Sequence, residues 1–279
     1  DGIKEVLQAA FDKIPFPKFT VKGENDQIYF PGYFETPTYG LALFHQSTYN
    51  DLFIPGLSLT AGLRLDYEKA KMNYDSSVEG MTINMFLPSM APGMPTINQD
   101  FPVTSRLAGE ESQDFLQLLP KASLRYQCSP GTFTYISVAK GYKTGGYNVQ
   151  MFGDLVQAQA QYDLKEEIKQ IMPPGMGGMF ENPELPPVSD VASYKPEHSW
   201  NYEIGVRSEL LKDRLNMELT LFYMDISDLQ LTTFATNGSG RMITNGGKAD
   251  SYGVEVSLRS LITTGLTVDL NYGFTRATF

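Results

Sequence analysis

The chain is predicted to be all-β: antiparallel strands of a transmembrane β-barrel, joined by long extracellular loops that carry short helices. Three observations predict it. Apolar and polar residues alternate in about eight segments, strictly in five of them, several segments sustain the pattern for about ten residues, and the connections alternate between tight turns and long excursions.

The clearest segment starts at Leu57. Leu57, Leu59, Ala61, Leu63, Leu65 and Tyr67 share one face, and Ser58, Thr60, Gly62, Arg64, Asp66 and Glu68 share the other. The register recurs with Tyr202, Ile204 and Val206 against Glu203, Gly205 and Arg207, and with Leu215, Met217, Leu219, Leu221 and Tyr223 against Arg214, Asn216, Glu218 and Thr220. Tyr252, Val254, Val256 and Leu258 oppose Gly253, Glu255, Ser257 and Arg259. Leu266, Val268, Leu270, Tyr272 and Phe274 oppose Thr267, Asp269, Asn271 and Gly273. Less regular strands are expected at 37–50, 118–128 and 132–142.

Alternation alone leaves open which face is buried. In a soluble sandwich the Leu/Val/Tyr face lines a core; in a membrane barrel it meets lipid, and the charged face lines the lumen. Strand length favours the barrel, because soluble strands average about five or six residues and a tilted membrane crossing needs about 9–11. Tyr67, Tyr202, Tyr223, Tyr252 and Phe274 then suit aromatic girdles. The connections agree. Pro55-Gly56, Pro130-Gly131, Lys212-Asp213 and Thr264-Gly265 fit tight turns, while 71–117, 143–197 and 229–249 are long excursions, as in barrels with short turns at one end and long loops at the other.

Composition narrows the function. The chain has 279 residues, with 22 Lys+Arg against 32 Asp+Glu, a net charge of −10. That acidity argues against nucleic acid, whose binders need excess cations. At 42% hydrophobic and 12% aromatic the chain is too apolar for wholesale disorder. The single cysteine, Cys128, forms no internal disulfide and reads as a small buried apolar residue. No apolar run reaches the roughly 18 residues of a membrane helix. Helical spacing marks two patches: residues 2–14, with Ile3, Leu7, Ala10, Phe11 and Ile14 on one face, and residues 154–171, with Leu155, Tyr162, Leu164, Ile168 and Ile171. The whole chain is read as one domain, with loop and helix over 1–36 and barrel hairpins over 37–279.

No catalytic or metal constellation emerges, and no cofactor is implied. His45 and His198 are too far apart in sequence for a local metal motif and read as satisfied surface or lumen histidines. The Lys143-Thr144 pair lacks the preceding glycine pattern of a phosphate loop, and the glycine runs 175–178 and 238–240 carry no dinucleotide fingerprint. Glu110-Glu111 and Glu166-Glu167 read as solvated loop charges. Met81, Met85, Met90 and Met94 have the softness of thioether metal ligands but read as loop-packing hydrophobes. The expectation is that the protein is not an enzyme.

Four stretches together resemble one family. The runs Ala139-Lys140-Gly141-Tyr142-Lys143-Thr144-Gly145-Gly146-Tyr147-Asn148 and Lys195-Pro196-Glu197-His198-Ser199-Trp200-Asn201-Tyr202-Glu203 are similar to the barrel of TonB-dependent outer-membrane receptors. So are Asp213-Arg214-Leu215 leading to Leu221 through Gln230, and Ile243-Thr244-Asn245-Gly246-Gly247-Lys248 leading to Glu255. The resemblance covers about 37–279 and implies a receptor in the Gram-negative outer membrane. Such a receptor captures a scarce nutrient on its loops and imports it with energy relayed by TonB through a plug domain. Family barrels have about 22 strands, so about eight strands without plug or TonB box imply a piece of the barrel. Phe279 lies on the opposite face from Leu270, Tyr272 and Phe274, which argues against its being a barrel-closing aromatic.

The Gly141–Asn148 stretch is similar to receptors for ferric siderophores, and the heme-receptor motifs are missing. Tyr142, Lys143, Tyr147 and Arg241 are therefore the candidate ligand contacts, able to offer aromatic and cationic groups to a siderophore. A glycan or cobalamin importer of the same family stays open, as does a small β-barrel or β-sandwich adhesin or binding module. Expected partners are a ferric siderophore or other small nutrient, TonB and outer-membrane lipid.

Overall fold

The computed structural model describes residues 2–13, 17–23, 28–89, 96–172, 182, 184–211, 214–234 and 240–279. One large antiparallel sheet dominates. Its strands are β2 (Gly32–Glu35), β3 (Thr38–Tyr49), β4 (Leu57–Ser77), β7 (Arg106–Ser129), β8 (Thr132–Lys143), β11 (Glu197–Leu210), β12 (Leu215–Ser227), β15 (Lys248–Thr263) and β16 (Leu266–Thr278). They pair in the order β16-β15-β12-β11-β8-β7-β4, and β2 and β3 share the far side of β4. The eight expected strands are all present as meandering neighbours, with β2 as a ninth.

At one end the connections are tight. Gly56 (φ 85°) and Gly131 (φ 79°) hold left-handed conformations there that favour glycine; the Lys212-Asp213 turn lies outside the described residues. At the other end the loops fold into a lobe. Strands β1 (Lys18–Gly23), β5 (Met81–Leu87) and β6 (Ile97–Val103) form a three-stranded sheet, with β5 central. Helices α1 (Gly2–Phe11) and α2 (Phe152–Ile171) accompany it. Phe19, Val21, Met81, Ile83 and Met85 from the sheet share one core with Val156, Ala160, Leu164 and Ile168, the inward stripe of α2. The sheet's outer strands are blunted. The Gln8 side chain accepts from the Val21 N–H at 2.8 Å and donates to the Phe19 carbonyl at 3.0 Å, capping β1 like a short strand. On β6, Pro102 removes a donor.

Several expectations are corrected here. Residues 1–36 are not only loop and helix, since β1 and β2 lie within them. The first excursion is shorter than 71–117, because β4 runs to Ser77 and β7 starts at Arg106. Glu110 and Glu111 therefore lie on a strand, and Glu166 and Glu167 on α2, whose 20 residues exceed a short helix. Cys128 is exposed rather than buried, beside a register shift between Gln127 and Ser129. Met81 and Met85 are buried packing residues. Ile14, Met90, Met94, 175–178 and Gly238-Ser239 lie outside the described residues.

The long strands invert their polarity at one level. On β4 the face carrying Leu57 through Tyr67 continues as Lys69, Lys71, Asn73 and Asp75, while the opposite face changes from Arg64, Asp66 and Glu68 to Ala70, Met72 and Tyr74. On β12 the face of Leu215–Tyr223 continues as Asp225, while Glu218 and Thr220 give way to Phe222, Met224 and Ile226. The switch is marked by tyrosines. Tyr202, Tyr223 and Tyr252 are directly paired across three strands. The Tyr223 hydroxyl donates to Asp250 at 2.6 Å and that of Tyr67 to Asp114 at 2.5 Å. Leu57 to Tyr67 spans about 33 Å along the strand, or roughly 25 Å after a ~40° tilt, the height of a barrel's apolar band. Beyond that level the face that was apolar becomes polar and charged. It carries cross-strand ion pairs such as Lys71–Glu110 at 2.7 Å.

Candidate functional site

Above the tyrosine level the inner face of β4 packs against the loops: Met72 is buried with Phe152 of α2, and Tyr74 and Tyr147 lie against them. The rim of the sheet is shaped by a fork in the wall. β7 and β8 stay paired only up to Lys121–Ala139, and the next residue on β7 is Pro120, which has no N–H to continue the ladder. β8 runs on with β11 to Lys143–Glu197. The chain then crosses behind β7, where Gly145 lies against Phe115 and the Gln113 side chain donates to the Gly146 carbonyl at 3.2 Å. There β9 (Gly146–Tyr147) pairs with β10 (Ser193–Tyr194), which follows the short helix α3 (Val188–Ala192).

Three side-chain amides sew this segment to the next loop, whose hairpin is β13 (Gln230–Phe234) and β14 (Arg241–Asn245). Asn148 is buried and binds Ile243 twice: its Nδ2 donates to the Ile243 carbonyl at 2.9 Å, and its Oδ1 accepts from the Ile243 N–H at 2.8 Å. Asn245 does the same to Lys195, accepting at 2.7 Å and donating at 2.9 Å, and also donates to the Asp228 carbonyl. Gln230 donates to the carbonyls of Thr144 and Lys195, and its own N–H goes to Glu197. Each amide acts as a short strand, so two loops distant in sequence become one block. An amide in a polar loop is ordinary in a sequence, so none of the three stands out there. Their clustering within the four family-like stretches is the one available signal.

The four candidate contacts separate. Lys143 and Arg241 are exposed, and the Arg241 guanidinium lies 5.8 Å from the Phe234 ring centroid. Tyr142 and Tyr147 are half-buried. Tyr142 is paired with His198 and directs its hydroxyl towards the Glu68 and Asp66 carboxylates of β4. The Tyr147 hydroxyl is sealed from solvent beside Gln113; burial raises its pKa, with Glu111 and Asp114 adding to the rise. Burial likewise raises Tyr194, whose ring lies against Gly146. Asn148 ties the Tyr147 segment to β14, which begins at Arg241. Of the histidines, His45 bonds Ser47 at 2.8 Å, but the His198 Nδ1 is buried with no partner among the described residues, so the expectation of a satisfied ring fails there. No cluster of three metal-ligating side chains occurs among the described residues.

Below the tyrosine level the inner wall is charged. Asp66 is buried and accepts from Arg64 Nε through both oxygens, at 2.8 and 2.9 Å. Glu218, Glu255, Arg207 and Arg259 continue this polar surface across neighbouring strands.

Known proteins agree with this geometry. The family described as TonB dependent receptor-like, beta-barrel, matches residues 6–279. The pesticin receptor of Yersinia pestis is 27% identical over 173 residues, covering 61% of this chain and 20% of the receptor. That of Yersinia enterocolitica is 25% identical over 171 residues, with the same coverage. The chain thus spans about a fifth of the length of these curated relatives. In three dimensions it is similar to the ferric yersiniabactin uptake receptor FyuA from Yersinia pestis, with a TM-score of 0.55, 22% identity, and coverage of 89% of this chain and 28% of that one. With nearly its whole length matched, and with its strands inverting polarity at a tyrosine-marked level, this chain belongs to the TonB-dependent receptor β-barrel family.

Proposed function

We propose that the intact protein is a receptor in the Gram-negative outer membrane that imports a ferric siderophore. The lobe and sewn loops face the cell exterior in this reading. The observation that carries it is the polarity inversion: one face of the sheet is an apolar band backed by a charged face, and at the tyrosine level the two exchange character, as expected where a barrel wall leaves a bilayer. Siderophore cargo is supported by the Gly141–Asn148 stretch. In this reading Lys143 and Arg241, both exposed, meet the ligand, and the half-buried Tyr142 and Tyr147 support the wall behind them. A plug contributed by the rest of the protein would fill the charged lumen and couple it to TonB. Function is binding and gated translocation, with no covalent step.

The test is growth under iron limitation. Deleting the whole receptor gene should abolish growth on at least one ferric siderophore, and the intact gene should restore it. Unchanged growth on every siderophore, with a deficit on a glycan or cobalamin, would move the protein to another cargo.

A further inference from the structure

Resting on the siderophore reading, we infer that the inner wall at and above the tyrosine level is a low-polarity ligand platform centred on Phe222. It selects a ferric chelate of little or no net negative charge that presents a flat aromatic or heterocyclic surface.

The platform follows from register and from two glycines. On the inner face, Glu203, Phe222, Gly253 and Thr275 form one row across β11, β12, β15 and β16. Asn201, Met224, Ser251 and Ala277 form the row above, and Ser199, Ile226 and Ala249 the next. A Cβ on Gly253 would lie 2.8 Å from Cζ and 2.9 Å from Cε1 of Phe222, and closer still to the Phe274 carbonyl oxygen. The bare backbone at Gly253 thus leaves room for the edge of the Phe222 ring to reach across to β15 on the inner face. One row down, Tyr135 covers Gly205 in the same way, its hydroxyl 3.1 Å from that of Thr220. Flat rings at the top of a pore are stacking surfaces for planar groups.

Charge sets the ligand class. These rows, with the Gly205–Thr220–Glu255–Gly273 row below, hold no lysine or arginine on the four strands, but they hold Glu203 and Glu255. The nearest cations on this face flank the rows: Arg207 one row below, opposite Glu218, and Lys143 one row above, opposite Glu197, while Lys121 lies two strands from Asn201, beyond Ala139. A polyanionic chelate would face carboxylates at close range in a partly dry wall, where each unit of like charge costs more than in bulk water. A neutral chelate loses nothing, and its apolar surface is taken out of water against Phe222 and Met224. Lys143 and Arg241 sit on the rim, outside these rows.

The experiment uses the full-length receptor in detergent and two gallium-substituted probes: a neutral chelate carrying aromatic rings and a trianionic tris-catecholate. The neutral probe should bind at least about a hundredfold more tightly. Phe222→Ala should weaken it about tenfold, Phe222→Trp should retain it, and Met224→Lys should narrow the gap between the probes about tenfold. Equal or tighter binding of the trianion, or full affinity in Phe222→Ala, overturns the platform and leaves the siderophore reading standing. Binding of neither probe also overturns the platform, and the siderophore reading is then decided by the iron-limited growth test.

Discussion

Replacing Leu219 with arginine is expected to lower the free energy of folding into a bilayer by about 2–4 kcal/mol, the cost of a cation facing lipid at the midplane. The same replacement at Asp225, on the same face of the same strand, should change it by less than about 1 kcal/mol. Leu219 is the middle of the apolar set from Leu215 to Tyr223, and it pairs with Val206 on one side and Val256 on the other, so a guanidinium there has only apolar neighbours in register. Asp225 is one step beyond Tyr223, opposite Asp250, and an arginine there would relieve two facing carboxylates. Equilibrium refolding of the full-length receptor into vesicles, followed by heat-modifiable gel mobility, measures both. Equal costs at the two positions would mean that the tyrosines mark no boundary.

A second large effect is expected at the rim. Asn148→Leu keeps the side chain's approximate size but strips both hydrogen bonds from Ile243, stranding a backbone donor and acceptor. Each orphaned group costs about 1–3 kcal/mol where water cannot replace its partner. The block should therefore lose about 2–4 kcal/mol locally, with the barrel strands unaffected. Hydrogen exchange of the full-length receptor resolves this: protection should fall by at least about thirtyfold over 241–246 and 193–196 together, and stay unchanged over 215–223. Loss confined to Ile243 would show that the two loops are not one unit.

Much of this was legible in the sequence because lipid and lumen impose opposite chemistry on alternate residues, which is a strong signal over ten-residue crossings. The eight strands were visible for that reason. The tops of β4 and β7 were not, and the cause is the inversion itself. Past Tyr67 the apolar phase jumps from odd to even positions, to Ala70, Met72 and Tyr74, and a phase jump reads as the end of a strand although the backbone runs on. The alternation of Met81, Ile83, Met85 and Leu87 was equally regular, but seven residues between proline- and methionine-rich flanks resemble a packed loop, and only pairing with β1 and β6 makes a sheet. Cys128 was misplaced because burial statistics for cysteine take no account of a turn end. The site was the least legible part. Lys143 and Arg241 offer charge, and a sequence shows charge; Asn148, Gln230 and Asn245 act by touching backbone far along the chain, which no local pattern records.

The most direct test is a lipid-accessibility scan along β12. In a Cys128→Ser background, single cysteines at 217–227 of the full-length receptor carry a fluorophore in vesicles containing a lipid-dissolved quencher. Quenching should be strong at 217, 219 and 221, weak at 218, 220 and 222, and weak again at 225 and 227 while an aqueous quencher gains access there. Alternation that continues unchanged past Tyr223, or no alternation at all, would contradict a membrane boundary at the tyrosine level and with it the receptor architecture.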